Sequence, residues 1–435
     1  MAGPAAAANN DRIIIHCDCN SFYASVETVL RPELADVPMA VAGDPTNRHG
    51  IILAKNEKAK KYNIQTAETI WSARKKCPDL VLVPPHHDLY HDYYVRINEI
   101  YLQYTDLVEP FSIDESFLDV THTIHLFDKT PKELADEIRR RIREEIGITV
   151  SAGVSFCKVF AKLGSDYKKP DATTVIFRED LPEIVYPLPV GALLFVGRKS
   201  AQVLESYSIK TCGDLANYDK EFLMKILGKQ GETLYRYIHC EEDSPVRSFY
   251  EKREAKSIGN SMTFPVNLLG EAEVKSGILA LSDSVASRLR RHGKRAQVIQ
   301  VTIRDPDFKQ IQRQRKLETP THLQRDIFNV SMDLVRQNWD FAKPVRLLGV
   351  TGADLLGDDE QPEEQLSLFD LPGAESPGNK ENGDGSGITN PSGKRNDPEN
   401  QEKIESALDK IRDKYGKGSI SLGFAGKDNG GWNKK

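Results

Sequence analysis

Two adjacent carboxylates, Asp114 and Glu115, interrupt an otherwise apolar stretch, Phe111-Ser112-Ile113-Asp114-Glu115-Ser116-Phe117, and few folds can accommodate them there. The pattern reads as two short strands with the acids at the bend. Neighbouring side chains of a regular strand point to opposite faces. Both acids can therefore reach one site only at a turn or bulge. Acids among apolar strands are costly unless something pairs with them, and a bound cation is the usual partner. An exposed polar hairpin turn would fit the same residues equally well, so the neighbouring segments have to decide.

Arg12 to Cys17 contains Ile13, Ile14 and Ile15 and reads as a strand buried on both faces. It ends at Asp18, and Asn20-Ser21 opens a helix from Phe22 to about Leu30. Asp18 by itself could equally be a helix cap. Between Asp36 and Ala73 lies a small unit with strands at 37–42 and 51–54 and a basic helix at 56–62. Its Lys58, Lys60 and Lys61 suit either a solvated face or a triphosphate. Thr130-Pro131-Lys132-Glu133 is a capping box, and the helix it opens should bury Leu134, Ile138, Ile142 and Ile146. A strand at 149–156 follows, then Lys158, Lys162, Lys168 and Lys169 in one helical stretch ending at Pro170. Strand, helix, hairpin, helix, strand is the split βαβ order, with the first strand beside the hairpin. That topology carries Asp18 to Asp114 and Glu115, and a cap does not explain three convergent acids.

From 189 to 240 the chain reads as short helices. Leu194-Phe195-Val196-Gly197 before Arg198-Lys199-Ser200 resembles half of a helix-hairpin-helix, which holds DNA phosphates on backbone N–H groups, although a tight interhelix turn would look the same. Beyond a charged linker comes a second split βαβ series, with strands near 256–263, 295–304, 308–317 and 344–353 and helices near 271–291 and 322–338. The first of these helices ends in Arg288, Arg290 and Arg291. The third strand alternates Gln310, Gln312 and Gln314 with Ile311, Arg313 and Arg315, a poor core strand that suits tracking a phosphate backbone.

At 435 residues the chain is too long for one core. No apolar run approaches the roughly 18 residues of a membrane span. Met1 to Asn10 has no basic region ahead of an apolar block and does not read as a secretory signal. The six cysteines are scattered without a CxxC pair, which argues against zinc or disulfides and for a reducing cytoplasm. From Ser244 to Val350 there are 19 Lys and Arg against 11 Asp and Glu, whereas Thr351 to Asn400 holds 3 against 12. A basic body with an acidic tail fits a protein that grips a polyanion. From Gly357 onward the composition predicts a mostly disordered tail. Within it lie an apolar island, Gln365-Leu366-Ser367-Leu368-Phe369, and a short amphipathic helix at Ile404 to Tyr415 of unassigned role.

Asp18-Cys19-Asn20-Ser21-Phe22-Tyr23-Ala24-Ser25-Val26-Glu27 and Ser112-Ile113-Asp114-Glu115-Ser116-Phe117-Leu118-Asp119 resemble the two catalytic motifs of Y-family translesion DNA polymerases, most closely the bacterial DinB type (DNA polymerase IV). The resemblance runs from about Arg12 to Leu355. It implies a multidomain α+β right-hand polymerase: a ferredoxin-like palm at 11–30 and 86–180, small fingers at 31–85, a helical thumb at 181–242, a linker at 243–256 and a ferredoxin-like little finger at 257–355. Residues 1–10 and most of 356–435 are expected to be disordered. The implied activity is low-fidelity, non-processive, template-directed DNA synthesis past damaged bases, without proofreading.

By the same resemblance Asp18, Asp114 and Glu115, with the Cys19 carbonyl, hold two Mg²⁺. Tyr23 is the steric gate against a 2′-hydroxyl, and Lys60 and Lys169 contact the triphosphate of a dNTP. Ile51, Leu53 and Ala67 cover the nascent base pair. Primer-template DNA is expected at Lys158, Lys162, Gly197, Arg288, Arg291, Arg313 and Arg315. Gln365, Leu366, Leu368 and Phe369 are similar to a sliding-clamp-binding peptide, and the protein is expected to be a monomer. Four positions depart from the pattern. Asn20 replaces an Asp, and Lys60 replaces an Arg, both resembling the catalytic subunit of DNA polymerase V. Glu57 replaces a Tyr and is expected to point away from a triphosphate of like charge, and Phe195 replaces a thumb glycine. Two other readings compete: a catalytically idle, clamp-recruited DNA-binding protein, and a different split-βαβ nucleotidyl enzyme such as a cyclase.

Overall fold

A computed structural model describes residues 12–45, 50–251, 254–358, 360, 398–416 and 419–420. The chain divides into two compact units, Met1–Lys252 and Arg253–Lys435.

The first unit is organised on β1 (Ile14–Cys19), which is buried along its whole length as its apolar run predicts. Helix α1 (Phe22–Leu30) follows and buries Phe22, Ala24 and Val26. Strands β2 (Met39–Ala42) and β3 (Ile52–Lys55) then lead into α2 (Glu57–Lys60) and α3 (Ile70–Lys76), and β4 (Val81–Val83) completes a small sheet in the order β3-β2-β4. The long helix α4 (His87–Tyr101) returns the chain to the main sheet, where β5 (Val108–Pro110) and β6 (Glu115–Asp119) form the acidic hairpin.

Helix α5 (Pro131–Ile146) starts at the foreseen box: the Thr130 hydroxyl accepts from the Glu133 N–H, and the Glu133 carboxylate accepts from the Thr130 N–H. It stops at Gly147, whose φ of 87° is cheap only for glycine. Its Leu134, Ile138 and Ile142 are fully buried, each worth about 1.5–3 kcal/mol. Next come β7 (Val150–Ser155), α6 (Lys158–Tyr167) and β8 (Thr173–Ile176). The sheet order is β5-β6-β1-β7-β8, so β1 lies beside the hairpin as the split βαβ order requires. The fifth strand, parallel to β7, is an addition that periodicity did not reveal. A Cβ at Gly153 would lie 1.9 Å from the Ala161 carbonyl, so glycine lets α6 pack directly onto β7. Four short helices, α7 (Arg198–Ser206), α8 (Cys212–Ala216), α9 (Lys220–Leu227) and α10 (Lys229–Ile238), close the unit. The segment read as a linker from 243 begins firmly attached here: Val246 is buried, and Arg12 donates to the Ser244 carbonyl at 2.8 Å.

The second unit is a four-stranded antiparallel sheet in the order β11-β10-β12-β9. Its elements run β9 (Ser257–Leu268), α11 (Gly270–Arg291), β10 (Lys294–Arg304), β11 (Gln310–Thr321), α12 (Gln324–Asn338) and β12 (Val345–Gly357). Val274, Ile278, Leu281, Val285 and Leu289 of α11 pack into one core with Ile299, Val301, Ile303 and Val350 of the strands. The helix expected at Ile404–Tyr415 is present and longer: Pro398–Tyr415 forms α13, whose charges pair with those of α11. Among the described residues no helix is long and apolar enough to cross a membrane.

Candidate active site

Asp18 and Glu115 face each other across β1 and β6, because the register pairs those two positions. Asp114, one residue earlier in the turn, is tied to the same spot by its backbone: its carbonyl accepts the Cys19 N–H at 3.0 Å. The third acid is thus delivered by sheet register and is not a cap. The N-cap position of α1 is Ser21, which makes no side-chain capping bond.

Two lysines from the α6 segment reach this acidic corner. Lys162 Nζ donates to Asp18 Oδ2 and Glu115 Oε1, each at 2.9 Å. Lys169 Nζ lies 2.7 Å from Asp18 Oδ2 and 2.7 Å from Asp166 Oδ1. Burial alone would lower the Lys162 ammonium, but Asp18 and Glu115 outweigh it and raise its pKa. The Asp114 carboxylate takes the Ser112 hydroxyl at 2.6 Å, and no ion pair joins it to a cation among the described residues. Burial raises the Asp114 pKa, and the charges of Asp18 and Glu115 push the same way. Behind Glu115 lies His16, fully buried, with Nδ1 2.8 Å from Ser165 Oγ and Nε2 3.7 Å from Glu115 Oε2.

Tyr23 stands beside the acids on the first turn of α1, and burial together with the Asp114 charge raises its hydroxyl pKa. Ile51, Leu53 and Ala67 share one corner of the small sheet, where Ala67 N–H donates to the Ile52 carbonyl at 2.8 Å and Ile51 bridges to Thr69. Lys60 is an exposed cation on α2, and Glu57 pairs with it at 2.5 Å. Both lie on α2, three residues apart, so they are natural partners.

Several expected DNA contacts have partners inside the protein. Lys158 holds Glu109 at 2.6 Å, and Lys162 belongs to the acid corner. Gly197 caps α7 without capping bonds from its own side, and the segment before it is a 3₁₀ turn at Val190–Ala192, so only the second half of a helical hairpin is present. Phe195 adopts φ of 67°, a left-handed conformation that glycine would favour. Arg288 donates to the Gly259 carbonyl at 3.0 Å, and Arg291 pairs with Asp413 of α13. Arg313 and Arg315 share the helix-side face of β11 and bond to Asn338 and Asp333 of α12. The other sheet face carries Ser261, Gln300, Thr302, Arg304, Gln310, Gln312 and Thr351 along one polar groove. The apolar island at Gln365, Leu366, Leu368 and Phe369 lies outside the described residues.

Sequence reading missed the support behind Tyr23. Glu27 is buried and takes bonds from Tyr90, His86 and Arg31 at 2.7, 2.7 and 2.6 Å. The only signal was the four-residue spacing of Tyr23 and Glu27, which places them on one helix face.

Comparison with known proteins places the chain in a family. Residues 17–166 match the impB/mucB/samB family, and residues 255–368 match its C-terminal domain. The chain is 46% identical over 82% of its length to a DNA polymerase IV of Acetivibrio thermocellus, covering 89% of that protein. It is 35% identical to DNA polymerase IV 1 of Bacillus subtilis, over 95% of this chain and 92% of the relative. A solved Y-family DNA polymerase chimera superposes with a TM-score of 0.70 at 25% identity, over 79% of this chain and 99% of the chimera. The chain therefore belongs to the impB/mucB/samB family and is a Y-family DNA-directed DNA polymerase of the DinB type.

Proposed function

We propose that the chain extends primers past damaged template bases by two-metal nucleotidyl transfer, with low fidelity, low processivity and no proofreading. The observation that carries this reading is the register pairing of Asp18 with Glu115, with Asp114 joined to the same corner through the Cys19 N–H. Primer-template DNA and a dNTP are the substrates, and the protein works as a cytoplasmic monomer.

The donor set suits magnesium, which takes oxygen ligands. Asp18, Asp114, Glu115 and the Cys19 carbonyl supply only oxygen. Asp114 carries a raised pKa and no paired cation among the described residues, so a divalent ion would relieve it. As they stand, no three acidic, His or Cys side chains among the described residues form a finished metal cage. The lysines explain why: Lys162 and Lys169 already neutralise Asp18 and Glu115, whose oxygens would have to turn from ammonium to metal. Held by these oxygens, two divalent ions would activate the primer 3′-hydroxyl and neutralise the leaving pyrophosphate. The chain's own residues do the rest. Lys169 and Lys60 meet the triphosphate, Ile51, Leu53 and Ala67 cover the nascent pair, and Tyr23 lies against the sugar and excludes a 2′-hydroxyl. The Gln-rich groove of the second unit and its basic residues track the duplex, and Gln365 to Phe369 bind a sliding clamp.

Primer extension with purified protein, dNTPs and Mg²⁺ opposite intact and damaged templates tests the reading. Extension across lesions is expected. Intact binding to primer-template with no extension would overturn it in favour of an idle DNA-binding protein.

A further inference from the structure

Tyr23 is half-buried, and a gate of this kind works only if its ring cannot swing aside when a larger sugar presses on it. The ring has a specific backing. Tyr90, fully buried on α4, stacks on Tyr23 with centroids 4.1 Å apart and planes within 13°. His87 meets both rings edge-on, at 6.0 Å and 83° to Tyr23 and at 5.9 Å and 86° to Tyr90. Tyr90 cannot retreat either, because its hydroxyl donates to Glu27 Oε1 at 2.7 Å.

Glu27 is itself immobile. It is 1% exposed, His86 Nδ1 lies 2.7 Å from the same oxygen, and Arg31 donates to the other at 2.6 Å. Burial alone would raise its carboxyl, and these bonds outweigh burial so that its pKa is lowered. Hydrogen bonds to an ionised partner are about twice as strong as neutral ones. Glu27 lies one turn beyond Tyr23 on α1, so the ring and the anchor project from the same helix face and Tyr90 bridges them. Displacing Tyr23 therefore means moving a buried tyrosine and breaking a charge-assisted bond.

We propose that Tyr90, anchored by Glu27, is a positioning residue that sets how strictly the Tyr23 ring discriminates between deoxyribose and ribose. The proposal rests on the reading of Tyr23 as the sugar gate, and the test separates the two. Single-nucleotide incorporation by the full-length enzyme is measured with matched dNTPs and NTPs, giving the ratio of their kcat/KM values. Tyr90→Leu, which removes the stacked ring, should raise the ribonucleotide share about tenfold. Tyr90→Phe keeps the ring but loses the anchor, and should recover most of the discrimination, leaving a rise of about threefold. A packing role alone would lower both kcat/KM values together and leave their ratio unmoved.

Tyr23→Ala is run alongside. If it relaxes sugar choice while both Tyr90 variants keep the native ratio, the positioning role is wrong and the gate stands. If Tyr23→Ala also keeps the native ratio, the gate reading itself is wrong. Should Tyr90→Leu fail to fold, Tyr90→Phe decides: a raised ratio supports the anchor, and a native ratio overturns it.

Discussion

Each unit of the chain buries a knot of opposite charges, and the two knots use different cations. In the first unit Lys162 and Lys169 spread their charge over Asp18, Glu115 and Asp166, and Asp114 takes the Ser112 hydroxyl with no ion pair among the described residues. In the second unit one guanidinium, Arg290, is clamped between Glu405 and Asp409 of α13, with Nε 2.8 Å from Asp409 Oδ2. Glu405 also accepts the Gln324 N–H at 3.0 Å, capping α12, whose own N-cap residue Leu323 cannot. Ammonium is a compact charge on a flexible stem, whereas guanidinium is a rigid fork that fixes its partners. The first knot is held by two flexible ammonium groups. The second is a fixed joint for a helix.

The comparison breaks most visibly at Asp114. Asp114→Ala should cut primer extension by on the order of 10³-fold or more, because the proposed two-metal reading makes it a metal ligand. Its unfolding midpoint in metal-free buffer should stay level or rise, since burial already disfavours that carboxylate. Loss of activity and stability together would mean that the acid is structural after all.

The joint at Arg290 should respond in the opposite way. Arg290→Ala leaves the buried carboxylates of Glu405 and Asp409 without their cation, and α13 should detach. Amide exchange across residues 404–415 should then accelerate by about 100-fold, on the order of 3 kcal/mol of lost docking, with the sheet still protected. Arg290→Lys sharpens the point: if a compact charge served equally here, exchange would remain at the native rate, and the contrast between the knots would fail.

How much of this the chain announced in advance follows the same division. The split βαβ order, the α5 capping box and the approach of Asp18 to the acidic hairpin were legible, because periodicity and turn chemistry are local. The pairing of Asp18 with Glu115 then followed from topology alone. The lysine partners were not legible as such. Lys162 read as a DNA contact because its role depends on α6 pressing against Gly153, a packing relation between distant residues. Helix α13 was half-read: Ile404, Leu408 and Ile411 suggested an amphipathic helix, but the face it docks is the charged one, with Glu405 and Asp409 buried and Ile404 exposed. An inward charged face defeats a reading that looks for apolar periodicity.

His16 gives the smallest effect and tests whether the first knot is tuned by burial or by its lysines. The Ser165 hydroxyl donates to the Lys162 carbonyl at 2.8 Å, so the His16 Nδ1 bonded to Ser165 carries the ring proton. Nε2 is then left without a hydrogen-bond partner beneath Glu115. Burial, reinforced by Lys162, holds the His16 pKa down to about 3 from its usual 6.5. The native ring is therefore neutral where the unfolded ring is charged, so the unfolded chain binds the extra proton and stability falls with falling pH. The loss begins below about pH 6.5 and proceeds at up to about 1.4 kcal/mol per pH unit toward the native pKa. Urea unfolding of the metal-free protein should show this slope in the first unit, and His16→Phe should flatten it. A slope that persists unchanged in His16→Phe would show that the buried ring is not the source of the acid sensitivity, and that burial of His16 does not tune this knot.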